Sequence, residues 1–122
     1  MNSALQAQNT YRNNSVLSAS PEQLVLMLYD GTLRFLGQAM VAMHDGSVPV
    51  ASSKLRRAEA IIDELRTTLD YEAGELAERL DAIYLFCRQL LVEAQLEQDP
   101  TKIESVTALI SELRGAWAEI CP

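Results

Sequence analysis

The sequence predicts an all-α protein: an antiparallel up-down four-helix bundle behind a short N-terminal segment. Three observations carry that reading. Apolar residues recur in steps of three and four along four stretches of chain. The breaks between those stretches fall on Gly, Pro and capping residues. No stretch shows the two-residue alternation of a half-buried strand, so no sheet is expected. The chain has 122 residues, enough for one domain. A folded chain of this size buries roughly two-thirds of its unfolded surface, so a self-sufficient core is feasible.

Residues 1–20 form the N-terminal segment, polar and rich in Asn, with Leu5, Tyr11, Val16 and Leu17 as its large apolar residues. The bundle is assigned to residues 21–122. Its first helix starts at Ser20-Pro21-Glu22-Gln23. Ser suits the N-cap, Pro the first helical position, and Gln three residues on completes a capping box. This helix is expected to run to about Met43, with His44-Asp45-Gly46-Ser47 ending it. One stripe holds Leu24, Leu28, Phe35, Leu36, Ala39 and Met43; a second, Leu26, Tyr29, Leu33 and Met40, points elsewhere.

The second helix is expected from Val48 or Pro49 to Tyr71. Its seam is Ala51, Leu55, Ala58, Ile62, Leu65 and Leu69, and Arg56, Arg57, Glu59, Asp63, Glu64 and Arg66 fill the wet face. Gly74 breaks the pattern. The third helix, about Glu75 to Gln98, is given the seam Leu76, Leu80, Ile83, Cys87, Leu90 and Ala94. Asp99-Pro100 opens the fourth, with Ile103, Val106, Ile110, Leu113 and Trp117 in the same rhythm. Short turns between consecutive helices make neighbours antiparallel.

Composition narrows the function. Net charge is −7, and the ten basic residues are scattered, with Arg56-Arg57 the one adjacent pair. That is no phosphate-tracking stripe, and neither nucleic acid nor an anionic membrane is an expected partner. No apolar run is longer than Leu24 to Tyr29, which is far below the ~20 residues that span a bilayer. Without a basic start and long apolar run of a signal peptide, the chain is expected to stay in the cytosol. Cys87 and Cys121 are expected to be free thiols there.

Reactive groups are sparse. The single histidine, His44, sits where a helix C-terminus favours a cation. The sharper alternative is a histidine phosphotransfer or other signalling bundle, but the adjacent Asp45 disfavours a phosphoryl group. No Glu-x-x-His, Cys-x-x-Cys or phosphate-binding Gly loop occurs. Neither catalysis, a metal nor a cofactor is expected. What stands out is apolar surplus: two stripes on the first helix, and Tyr84, Leu85, Phe86, Leu91 and Val92 outside the third helix's seam. Gly31 and Gly37 lie inside the first helix, each costing roughly 1 kcal/mol relative to Ala. The surplus fits a deeply packed first helix with glycines for close approach, or equally a groove that accepts amphipathic segments of a partner.

Ser18 to Leu24 followed by Leu26-Met27-Leu28-Tyr29-Asp30-Gly31 resembles the FliS family of flagellar export chaperones. The resemblance runs almost end to end. It takes in Tyr11, Asn14 and Val16, then Ala58, Ile62, Leu65 and Leu69, then Gly74, Leu80 and Tyr84, and closes on Leu113 to Trp117. Two departures occur: Ala73-Gly74 where the family often has paired glycines, and Ala94-Gln95 where it commonly has Ala-Asn. The resemblance implies an antiparallel bundle that binds the C-terminal region of flagellin and prevents premature polymerisation. It implies too that the N-terminal segment covers part of the binding surface when flagellin is absent, and that components of the export machinery are further partners. Combining the motif with the apolar surplus, the partner-binding candidates are Tyr11, Val16, Leu26, Tyr29, Leu33, Tyr84 and Leu91.

Overall fold

The computed structural model describes residues 18–120. Four long helices account for most of them: α1 (Pro21–His44), α2 (Val48–Thr67), α3 (Glu75–Glu97) and α4 (Pro100–Ile120), with a 3-10 turn at Tyr71–Ala73. No strand occurs among the described residues. The expectations for Tyr11, Val16 and Cys121 lie outside them.

Helix boundaries follow local chemistry. The Ser20 hydroxyl accepts from the Gln23 N–H at 3.1 Å, and the Gln23 side chain accepts from the Ser20 N–H at 3.0 Å. That closes the capping box and satisfies two groups that a helix end leaves open. α1 ends at His44, where Gly46 takes φ 74° to turn the chain. α2 stops four residues before the expected Tyr71. Its last turn gives way to an Asp70-capped 3-10 turn, in which the Asp70 carboxylate accepts from the Glu72 N–H. At the start of α4, the Asp99 carboxylate accepts from the Thr101 N–H at 3.0 Å and its hydroxyl at 2.6 Å.

Cross-helix pairs give the direction of each helix. Arg66–Asp81 and Arg88–Asp63 run α2 against α3 in opposite senses. Arg114–Asp30, with the Trp117 indole N–H donating to the Glu22 carbonyl at 3.0 Å, does the same for α4 on α1. α1 packs on α2 and α4, and α3 packs on the same two. The result is the antiparallel four-helix bundle.

The seams of α2 and α4 match expectation. Ala51, Leu55, Ala58, Ile62 and Leu65 are buried, as are Ile103, Val106 and Ile110, with Leu69, Leu113 and Trp117 packed at the margin. Two expectations are corrected. Glu59, assigned to the wet face of α2, keeps only 9% of its surface exposed. The seam of α3 is rotated: Ala77, Tyr84, Cys87, Leu91 and Ala94 are buried, while Leu76 is 61% exposed. Both registers contain steps of three and four, and the aromatic Tyr84, which fills more core volume, takes the inner position over Ile83. Of the α1 glycines, Gly31 is a packing residue, since a Cβ there would lie 3.2 Å from the Ile61 Cδ1. Around Gly37 a Cβ would meet nothing within 4 Å.

Candidate partner-binding site

Two apolar features of the described bundle bear on partner binding. One is a cleft of about 380 Å³ at the end where the α1 N-terminus, the α2–α3 connection and the α4 C-terminus converge. Leu24, Val25, Leu69, Leu76, Leu80 and Trp117 line most of it, with Glu22 and Asp70 at the same site. Its walls are held by the Trp117–Glu22 hydrogen bond and the Arg114–Asp30 ion pair, which clamp α4 onto α1. Leu76, displaced from the α3 seam, stands on this cleft instead.

The other is the outer side of α3. Leu85, Val92 and Leu96 recur at intervals of seven and four, which places them in one row, with Phe86 beside it. Phe86 is 53% and Leu96 78% exposed. A solvated face on a monomer is ordinarily polar, and a row of large apolar side chains makes this face a candidate interaction surface.

Several predicted site residues are not on these surfaces. Tyr29 and Tyr84 lie in the core, their hydroxyls hydrogen-bonded to each other at 2.5 Å and their rings 6.5 Å apart. Burial raises both phenol pKa values above the ordinary tyrosine range, so both stay neutral. Leu91 is fully buried. These three were assigned to a groove because they fall outside the assumed seams. They are part of the true seams, where large side chains fill the bundle axis. Tyr84 alone of the three also reaches the cleft, as part of its lining. Leu33 is half-buried against the core, and Leu26 is half-buried on α1.

The residues missed by the sequence reading are Leu24, Leu69, Leu76 and Trp117 around the cleft, and Leu96 at the end of the α3 row. Leu96 had a signal, lying four residues from Val92 and eleven from Leu85 in the same helical row. The cleft had none, since it is assembled from two helix ends and a connection far apart in the sequence.

Cys87 is buried in the core, and burial pushes its thiol up to about 11, the protonated and unreactive form. Among the described residues no group of three His, Cys, Asp or Glu could hold a metal ion, and no helix is long and apolar enough to cross a membrane.

A family model described as flagellar protein FliS matches residues 3–122. This chain belongs to the FliS family. Curated relatives agree across nearly the whole length. A flagellar secretion chaperone FliS from Vibrio cholerae is 36% identical, covering 100% of this chain and 91% of its own. Proteins of the same name from Campylobacter jejuni and Bacillus subtilis are 38% and 33% identical, covering 93% and 89% of this chain and 90% and 81% of theirs. FliS membership suggests a non-enzymatic role.

Proposed function

We propose that this chain is a flagellar secretion chaperone that holds the C-terminal region of flagellin unpolymerised and ready for export from the cytosol. The observation that carries the reading is the outward apolar row of α3, Leu85, Phe86, Val92 and Leu96. A flagellin segment that is disordered before assembly can fold as an amphipathic helix against such a row. Burial of apolar surface, at roughly 25 cal/mol per Å², offsets the cost of ordering it. The bundle-end cleft offers a socket for a further bulky side chain. The names of the curated relatives support the same role.

The test is a double variant, Phe86→Glu with Leu96→Glu. Both side chains are exposed, so melting should stay close to wild type, within about 0.5 kcal/mol. Affinity for purified flagellin should fall by about tenfold or more, because the partner helix would bury two charges. Wild-type affinity in a folded double variant would remove α3 from the interface.

A further inference from the structure

We infer that the outer α1–α2 face is a second docking surface, shaped for an acidic amphipathic helix of a protein partner. Arg66, Arg79, Arg88, Lys102 and Arg114 each pair with a carboxylate. Arg34, Lys54, Arg56 and Arg57 form no ion pair among the described residues, and three of the four, Arg34, Lys54 and Arg57, share one site. They gather instead around one half-buried ring, with their charged groups 5.6, 5.7 and 5.6 Å from the Phe35 centroid. Three cations converging on one ring repel one another, and in a chain of net charge −7 this local excess is out of character. A carboxylate-bearing partner supplies what the face lacks.

The neighbouring surface has the form for a helix. Arg34 and Lys54 line a shallow groove with Gly37, Val41 and Val50; Asp45 is the one carboxylate lining it. Val41 is 62% exposed, and Val48 and Val50 are exposed beside the turn. Gly37 adds an independent observation. It costs helix stability and, unlike Gly31, gains no packing within the bundle, yet it leaves an open notch in this groove. A notch lets a partner's backbone or small side chain approach α1 closely. Apolar floor, notch and flanking cations match a helix with an apolar row edged by Glu or Asp. Three cations are too few to track a nucleic acid backbone. This surface does not depend on the α3 row or the bundle-end cleft.

The probe is a synthetic amphipathic peptide of about four helical turns, with a Leu and Ala row flanked by Glu. A peptide with Lys for Glu, phosphatidylglycerol vesicles and a single-stranded oligonucleotide are run beside it. The acidic peptide should bind, and its affinity should fall about tenfold or more as salt rises from about 0.05 to about 0.5 M. Arg34→Glu with Lys54→Glu should cut binding about tenfold or more. Gly37→Leu should raise the melting temperature, since it replaces a helical glycine, and weaken the same binding by filling the notch. Equal binding of the acidic and Lys peptides would overturn the inference. So would an unaffected Gly37→Leu protein, or binding of vesicles or oligonucleotide in place of the acidic peptide.

Discussion

Tyr29 and Tyr84 come from helices that do not neighbour each other in the ring of four, and their hydroxyls meet in the middle of the bundle. Each hydroxyl is the other's partner, which makes their energetics non-additive. Tyr84→Phe strands the Tyr29 hydroxyl in the core and should cost about 1–3 kcal/mol. Adding Tyr29→Phe removes the orphan, so the double variant should be less destabilised than the sum of the two singles. Urea denaturation of the set measures this, and strict additivity would mean that the hydroxyls do not depend on each other. Glu59 gives a pH-dependent counterpart. Burial raises its pKa above the ordinary value, opposed by the attraction of Arg88 and by Arg56, and assisted by Asp63. The sign is that of a raised acid. Its stabilising contribution is complete below the unfolded pKa of about 4.3 and is lost as pH rises through the folded value. Glu59→Gln should therefore stabilise the bundle at pH 7, by about 1 kcal/mol, and the gain should vanish near pH 4. Thermal melts at the two pH values check it; a gain that grew on acidification would contradict the sign.

Among the elements, the capped helix starts were legible, while the end of α2 and the inner face of α3 were not. Ser20, Pro21 and Gln23, or Asp99 and Pro100, act within one helical turn, so the sequence carries their geometry directly. The α2 and α4 seams were legible too, because polar residues surround a single apolar row. α3 is apolar on more than one side: Leu76, Ile83 and Leu90 compete with Ala77, Tyr84 and Leu91 for the core, and periodicity alone cannot rank them. The contact of Tyr84 with Tyr29 across the axis fixes the rotation, placing Tyr84 and Leu91 inside and leaving Leu76 at the cleft. Because periodicity leaves the two rows unranked, Tyr84 and Leu91 fall among the partner-binding candidates, while Leu85, Phe86 and Val92, also outside the expected seam, are exposed. The α3 C-terminus makes an element-scale prediction. Gln98 holds the left-handed conformation, φ 54°, which a Cβ disfavours. Gln98→Gly should stabilise the protein by about 0.5–1 kcal/mol, less whatever its side-chain bond to the Gln95 carbonyl contributes. A loss of stability in chemical denaturation would show that this bond outweighs the backbone strain.

For the whole molecule, the arrangement separates two tasks. A tightly filled axis, with no buried side-chain polar atom left unpartnered among the described residues, keeps the bundle rigid. Its outside carries the apolar row of α3 and the cleft where the α1 N-terminus, the α2–α3 connection and the α4 C-terminus meet. A rigid platform of this kind binds without chemistry: the partner pays the ordering entropy, and the apolar surface returns it. Membership of the FliS family fits that division of labour. The central claim is that the platform's ligand is the C-terminal segment of flagellin. Isothermal titration calorimetry of this protein with full-length flagellin, and with flagellin lacking that segment, tests it most directly. The expected result is a complex of one chaperone per flagellin, with a negative heat-capacity change, and no binding of the truncated chain. Equal binding of the truncated flagellin would contradict it.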